Sequence, residues 1–168
     1  IKCESVYSEY TKFTISFKIE AMKEGTNEVF TNEKNKLNIL YIEDNEPTLK
    51  LVKKLVQKKI DCNFYQSTNG QIGLNILRDK TIDILFLDLG LPDINGIDVY
   101  KMARDEKLIN SDRLVLVISA EARARKIDEL YKEGIYDFIP KPVRIHKFYE
   151  VFEKALDKVK DAKEVKEV

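Results

Sequence analysis

Acidic residues directly follow two short apolar runs of this sequence. Glu43 and Asp44 come after the run 37–42, and Asp88 comes after the run 84–87. Carboxylates that meet in one pocket repel one another, so they need a cation or a proton to coexist. A hard oxygen site with few protein ligands suits Mg²⁺, which keeps several waters and is completed by a substrate phosphate. These residues therefore predict a Mg²⁺ (or Mn²⁺) site.

A hydroxyl and an ammonium group follow two further apolar runs. Ser119 ends the run that begins at Leu114, and Lys141 follows the segment 136–139. Donors of these two kinds are suited to phosphoryl oxygens, whose charge shifts during transfer. Asp88 would then be the nucleophile that becomes an aspartyl phosphate.

Strand and helix patterns that alternate from Leu37 onward would position these side chains. The runs 84–87 and 114–118 are continuously apolar, as expected of parallel strands that are covered on both faces. The last helix has apolar residues at positions that step i, i+3, i+4, i+7, i+8 and i+11. These six residues are Phe148, Val151, Phe152, Ala155, Leu156 and Val159.

Five predicted strands and five predicted helices indicate a doubly wound α/β domain with a parallel sheet. The predicted strands are 37–42, 63–66, 84–87, 114–118 and 136–139. Ligands of such sheets bind beyond the carboxyl ends of the strands. We therefore expect Glu43, Asp44, Asp88, Ser119 and Lys141 to converge in one pocket.

The first 36 residues have a different composition. Apolar and polar residues alternate strictly over 13–19 and more weakly over 1–6, which predicts a β-hairpin that turns near residues 8–10. Residues 21–36 then have the composition of a linker. The chain is therefore predicted to consist of an N-terminal remnant (1–20), this linker (21–36), a catalytic or binding domain (37–159) and a charged tail (160–168).

Composition excludes several classes of protein. Lys+Arg and Asp+Glu are 29 each, so the chain offers no general field for nucleic acid or an acidic membrane. Cys3 and Cys62 are too few and too far apart for a disulfide framework or a structural zinc site. No apolar run approaches the roughly 20 residues of a membrane helix. We expect a cytoplasmic segment of a longer protein, since it begins with Ile1 and has no signal peptide.

Four motifs in order resemble the receiver domain of two-component response regulators. They are Ile42-Glu43-Asp44-Asn45, Leu87-Asp88-Leu89-Gly90-Leu91-Pro92-Asp93-Ile94-Asn95-Gly96, Ile118-Ser119-Ala120 and Lys141-Pro142. The resemblance covers roughly residues 37–159 and implies a flavodoxin-like fold with strand order 2-1-3-4-5. It also implies that Asp88 accepts a phosphoryl group from a phosphohistidine.

The resemblance implies a role for each matching residue. Asp44 would bind the metal directly, Glu43 mainly through water, and Gly90 through its backbone carbonyl. Ser119 and Lys141 would bind the phosphoryl group, and signal output would follow from a change in conformation. The switch residues would be Ser119 and Phe138, although Phe138 also fits an ordinary core position. Gly90 and Glu121 would flank the site and set how long the phosphate survives.

Local backbone features follow from the same resemblance. The fifth strand would be an edge, which allows Pro140 to lie there without a donor N–H. The Lys141-Pro142 bond would be cis. Gly96, which follows Asn95, fits a turn that needs a positive φ.

The opening residues resemble the last two strands of a histidine-kinase ATP-binding domain, although 8–11 lack the glycines expected in the turn. The parent protein would then be a hybrid sensor histidine kinase, and this segment, without ATP-binding motifs, would neither bind ATP nor autophosphorylate. Its partners would be a phosphohistidine domain of the kinase or a histidine phosphotransfer protein. A homodimer is also compatible with the sequence, whereas direct membrane contact is not expected.

Other functions fit the residues less well. An aspartate-nucleophile phosphatase needs a second Asp two positions after Asp88, where Gly90 stands. A nucleotide-binding domain needs a Gly-rich loop after its first strand, where Glu43 and Asp44 would repel phosphate. His146 has no adjacent acid and fits a solvated histidine. A pseudo-receiver or a stand-alone response regulator, docking to proteins without phosphotransfer, remains the open alternative.

Overall fold

A computed structural model describes residues 2–6, 10–14, 36–109, 114–120, 128, 130–135 and 137–164 of the chain. An antiparallel hairpin comes first, formed by β1 (Lys2–Val6) and β2 (Tyr10–Thr14). This hairpin was predicted, although β2 begins at Tyr10, before the strictly alternating segment. Residues 15–35, which include nearly all of the predicted linker, lie outside the described residues.

From Leu37 the chain alternates between strands and helices, as its sequence predicts. The elements are β3 (Leu37–Ile42), α1 (Glu46–Lys59), β4 (Cys62–Ser67), α2 (Gly70–Asp79), β5 (Ile84–Leu87), α3 (Gly96–Asp105), β6 (Leu114–Ser119), α4 (described at residues 128 and 130–132), β7 (Asp137–Pro140) and α5 (Ile145–Glu164). Helix α5 therefore continues into the first residues of the segment predicted to be a charged tail.

The five later strands form one parallel sheet in the order β4-β3-β5-β6-β7. Numbered within this sheet alone, the order is the predicted 2-1-3-4-5. Strand β7 lies at the edge, and exposed Pro140 at its end pairs in register with Ser119. An edge position leaves the missing N–H of proline without consequence for the ladder. The Lys141-Pro142 bond is cis, as expected.

Side chains alternate between the two faces of the sheet, and helices cover both. Tyr41 and Phe86 point to the face covered by α1 and α5, where all six residues of the predicted α5 stripe are buried. Leu40 and Ile42 point to the other face, against α2 and α3. Burial of both faces explains why the central strands are apolar throughout.

Helix α1 begins where its sequence predicts. Asn45 is the N-cap, and its side-chain oxygen accepts a hydrogen bond from the backbone N–H of Thr48 at 3.0 Å. Pro47 lies in the first turn, where a missing N–H leaves no intrahelical bond unmade. Three residues therefore separate β3 from α1, and two of them, Glu43 and Asp44, lie at the carboxyl end of the sheet.

The expected turn with positive φ at Gly96 is wrong. Among the described glycines only Gly134 has a positive φ, and Gly96 is instead the first residue of α3, after the N-cap Asn95. A Cβ atom at Gly96 would overlap the backbone carbonyl oxygen of Asp88. Glycine is needed at this position because two backbone segments approach each other closely. The start of α3 thereby packs directly on the residue at the end of β5.

Candidate functional site

Three carboxylates meet at the carboxyl end of the sheet. Glu43 and Asp44 follow β3, Asp88 follows the neighbouring β5, and ligand oxygens from all three lie within 4.8 Å of one another. Glu43 and Asp88 are buried, whereas Asp44 is exposed. The predicted convergence of these acids is therefore present, and the cluster opens to solvent on the side of Asp44.

Lys141 brings a positive charge into this cluster from the end of β7. Its Nζ lies 2.6 Å from Oδ2 of Asp88 and 2.7 Å from Oε2 of Glu43. Burial disfavours the ammonium form, but hydrogen bonds to Asp88 and Glu43 outweigh that effect and raise the pKa of Lys141 above its usual value. The lysine is therefore charged at neutral pH and partly neutralises the two buried carboxylates.

The Glu43 carboxylate has two further donors. Its Oε1 accepts from the backbone N–H of Asn45 at 3.1 Å, and its Oε2 accepts from the hydroxyl of Tyr41 at 2.5 Å. Burial, together with the negative charge of Glu43, raises the pKa of Tyr41 above its usual value, so the tyrosine keeps its proton and donates. Tyr41 was not among the predicted site residues, although positions i and i+2 of a strand share a face.

The remaining predicted site residues lie at the same end of the sheet. Ser119 is buried at the end of β6, and its carbonyl oxygen accepts from the backbone N–H of Lys141 at 3.0 Å. The exposed Gly90 donates its N–H to Oδ1 of Asp88 at 3.2 Å. A Cβ atom at Gly90 would lie 4.0 Å from Oδ2 of Asp88, so any side chain here would lie beside the Asp88 carboxylate.

Phe138 is half-buried on β7 and packs against an apolar cluster rather than lying open at the site. The buried members of this cluster are Leu89, Ile97, Val117, Leu130 and Ile135. This packing agrees with a core position, and its role as a switch stays a prediction. Glu121 lies outside the described residues.

Two other residues singled out in the sequence have ordinary surroundings. His146 is exposed at the start of α5, in agreement with a solvated histidine. Cys62 is a half-buried free thiol, and burial raises its pKa to about 11. A thiol with so high a pKa is mostly protonated at neutral pH and is a weak nucleophile.

The donor set of the acidic cluster fits a small divalent cation. The candidate ligand atoms are carboxylate oxygens of Glu43, Asp44 and Asp88, and no soft ligand such as Cys or His belongs to the cluster found among the described residues. Hard oxygen ligands of this kind suit Mg²⁺ or Mn²⁺. Asp44 is exposed, so the waters that Mg²⁺ usually keeps could lie on that side of the cluster.

A flavodoxin-like sheet whose strand ends carry an acidic cluster and a facing lysine defines a class of signalling domains that accept phosphoryl groups. A sequence model of the response regulator receiver domain matches residues 39–153 of this chain. The chain belongs to that family and is a receiver domain of the two-component signal-transduction type.

Curated relatives and solved structures agree with this assignment. The chain is 28% identical over 121 residues to the polar-differentiation response regulator DivK of Brucella anthropi, a match that covers 71% of this chain and 95% of DivK.

The Ssk1 receiver domain of Saccharomyces cerevisiae, solved in complex with the histidine phosphotransfer protein Ypd1, is 26% identical with a TM-score of 0.58; the match covers 69% of this chain and 88% of that one. A signal receiver domain of a Luxo repressor protein from Vibrio parahaemolyticus has the same fold, with a TM-score of 0.70, 21% identity and coverage of 78% and 98%.

None of the helices in the described part of the chain is both long enough and apolar enough to cross a membrane.

Proposed function

We propose that this domain takes a phosphoryl group from a phosphohistidine onto Asp88 in a Mg²⁺-dependent reaction and later releases it by slow hydrolysis. The observation that carries the proposal is the position of Asp88. Its carboxylate is buried at the end of β5, lies within 4.8 Å of the Glu43 and Asp44 oxygens, and is 2.6 Å from the Lys141 ammonium. Membership of the receiver family supports the same reading.

In the proposed reaction an oxygen of Asp88 attacks phosphorus while the phosphorus–nitrogen bond to the donor imidazole breaks. The electron pair of that bond stays on the imidazole nitrogen, which takes a proton, and the aspartate becomes an acyl phosphate. Lys141 provides positive charge beside the attacking carboxylate, and Ser119 provides a hydroxyl for a phosphoryl oxygen. A bound Mg²⁺, held by Asp44, Asp88, the Gly90 carbonyl and, through water, Glu43, would supply charge neutralisation at the phosphoryl oxygens.

Signal output would begin at the same residues. Lys141 donates hydrogen bonds to both Glu43 and Asp88, so its ammonium would have to reorient to bind a phosphoryl group attached to Asp88. Since Lys141 and Ser119 are joined through a backbone hydrogen bond at the ends of β6 and β7, such a change would alter both strand ends. Phe138 on β7 would respond to this movement as the switch residue.

The wider context is also a proposal. The antiparallel hairpin at the N-terminus supports a remnant of a kinase ATP-binding domain, and thus a hybrid histidine kinase in the cytoplasm. The Ypd1–Ssk1 complex supports a histidine phosphotransfer protein as a partner. The reading frame upstream of Ile1 tests this part: a dimerisation helix with a phosphorylatable His would support it, and a different domain would overturn it.

Phosphorylation can be tested with the chain as it is. Incubation with acetyl phosphate and Mg²⁺ should add one phosphoryl group to the native chain, as measured by intact mass, and none to Asp88→Asn. Asp98→Asn, an exposed acid in the first turn of α3, is the matched control and should be phosphorylated normally. A phosphorylated histidine phosphotransfer domain should serve as a donor in the same assay.

A native chain that gains no mass and shows no spectral change with beryllofluoride, and so behaves like Asp88→Asn, would contradict phosphotransfer. The domain would then be a pseudo-receiver that acts by docking. Normal phosphorylation of Asp88→Asn would instead show that another residue is the acceptor.

A further inference from the structure

Tyr41 is a core residue whose hydroxyl reaches the acidic cluster. Its side chain is fully buried on the α1 and α5 face of the sheet, and its ring meets Phe86 edge to face with centroids 5.8 Å apart. From this position the hydroxyl donates to Oε2 of Glu43 at 2.5 Å. A phenylalanine would fill the same space, so packing alone does not require the hydroxyl.

Glu43 needs donors because its carboxylate is fully buried. A buried carboxylate remains ionised only when its oxygens are paired or hydrogen-bonded. Three groups serve Glu43: the Lys141 ammonium, the Asn45 backbone N–H and the Tyr41 hydroxyl. Lys141 is shared with Asp88, and the proposed function requires it to turn toward the phosphoryl group. Tyr41 is then the side chain that still donates to Glu43.

We propose that Tyr41 is a positioning residue of the phosphorylation site, whose hydroxyl holds the Glu43 carboxylate in the orientation that serves the metal. This inference rests on the proposed function and adds a residue to it. A group that orients a ligand without touching the metal typically changes metal affinity by about 10- to 100-fold. Because Glu43 acts mainly through water, the lower end of that range is expected.

Tyr41→Phe tests the inference because it removes only the hydroxyl. We expect Mg²⁺ to bind the variant roughly tenfold more weakly than the native chain, as measured by isothermal titration calorimetry. The matched control is Tyr149→Phe, since the half-buried Tyr149 hydroxyl donates to the Leu55 carbonyl at 3.2 Å, within the α1 and α5 layer. The control should lower the melting temperature without changing Mg²⁺ affinity.

A double-mutant cycle separates positioning from a general loosening of the core. In a Glu43→Ala background the group through which Tyr41 acts is gone, so Tyr41→Phe should leave the residual Mg²⁺ affinity unchanged. An equal loss of affinity in both backgrounds would overturn the inference, because the hydroxyl would then act by another route.

A measurement on the native chain does not depend on how well any variant folds. Side-chain resonances of Tyr41 should shift when Mg²⁺ is added, whereas those of Tyr149 should not. Unchanged Tyr41 resonances under saturating Mg²⁺ would overturn the inference.

The two proposals fail in different ways. Suppose that the native chain binds Mg²⁺, that Asp88→Asn does not, and that Tyr41→Phe binds Mg²⁺ as tightly as the native chain. Only the role proposed for Tyr41 is then wrong. If the native chain itself binds no Mg²⁺, both the metal-dependent function and the role proposed for Tyr41 are wrong.

Discussion

At the scale of single residues, the site is organised around two buried carboxylates that share one lysine. Glu43 and Asp88 come from neighbouring strands, and the Lys141 ammonium lies within 2.7 Å of an oxygen on each. The lysine side chain is only 17% exposed, so solvent screens these interactions weakly. Lys141 therefore holds the two buried carboxylates together, and it would compete with a bound metal ion for the same oxygens.

Lys141→Met should expose this dual role, because it keeps the aliphatic stem and removes the charge. At neutral pH we expect a loss of about 3 kcal/mol in the free energy of unfolding, at the low end for breaking a buried pair. We also expect tighter binding of Mg²⁺, because the competing ammonium is gone, and slower phosphorylation of Asp88. Urea denaturation with and without Mg²⁺ measures the first two effects, and an acetyl phosphate time course measures the third.

The control for this variant is Lys158→Met, which breaks an exposed pair with Asp137 and should cost less than about 1 kcal/mol.

The stability of Lys141→Met should be measured near pH 7, where Lys141 of the native chain is fully charged. The folded-state pKa of Lys141 is raised, so its stabilisation is complete below the ordinary value of 10.5 and is lost only as pH rises through the folded value. Equal stability of Lys141→Met and the native chain at pH 7 would contradict the assigned role.

At the scale of elements, the loop from Asp88 to Gly96 joins the site to two helices. Gly96 packs the start of α3 on the Asp88 carbonyl, and its N–H donates to the Leu89 carbonyl at 3.0 Å. In the same loop, the Asp93 carboxylate accepts from the first-turn N–H groups of Gly70 and Gln71 at 2.8 and 2.9 Å, and so adds to the capping of α2 by its N-cap Asn69. This loop is thus bonded to α2 as well as to α3.

Asp93→Ala should destabilise the domain by about 1 kcal/mol, the usual cost of a lost cap. Desolvation opposes ionisation of Asp93, but the N–H donors of Gln71 and Gly70 outweigh it and lower the pKa of this carboxyl. A lowered pKa means that the stabilisation is present above the ordinary value of 3.8 and is lost as pH falls through the folded value. Urea denaturation of both chains should therefore show a difference at pH 7 that shrinks under strong acid.

Asp157→Ala, at an exposed position on α5, is the surface control and should change stability by less than about 0.5 kcal/mol. A difference between Asp93→Ala and the native chain that grows on acidification would show that the carboxylate does not act as a cap.

At the scale of the whole molecule, the site lies at the end of one sheet that is packed between two layers of helices, so the site forms only when the domain folds. Phe86 of β5 touches Phe148 and Phe152 of α5 with ring centroids 5.8 Å apart, two residues before Asp88. The residues of the acidic cluster follow β3 and β5, and Lys141 follows β7. Because these strands meet only in the folded sheet, a ligand of the cluster binds the folded state and stabilises the domain as a unit.

Mg²⁺ should therefore raise the melting temperature, and EDTA should reverse the rise. At a free concentration one hundred times the dissociation constant, the gain in stability is about 2.7 kcal/mol. Asp44→Asn should abolish the gain with little effect on the metal-free domain, because Asp44 is exposed. Asp61→Asn, an exposed acid outside the cluster, should keep the gain. A rise that persists in Asp44→Asn would indicate that Mg²⁺ acts elsewhere.

The sequence alone determined the order of elements, the faces of the helices and the members of the acidic site. These features are local: a period of two or 3.6 residues, an N-cap such as Asn45, or an acid directly after a strand can each be recognised within one segment. Parallel strands then bring their carboxyl ends together, which was enough to predict that Glu43, Asp44, Asp88, Ser119 and Lys141 share one end of the sheet.

Only the tertiary structure decided how those residues are bonded. Lys141 and Glu43 are 98 positions apart, and no local pattern states whether the ammonium pairs with one carboxylate or bridges two. Two other contacts were not predicted for the same reason, because no local pattern states that they form. They are the close approach of Gly96 to the Asp88 carbonyl and the hydrogen bond from Tyr41 to Glu43. Hydrogen bonds depend on tenths of an ångström, and such distances are set by the packing of whole layers rather than by neighbouring residues.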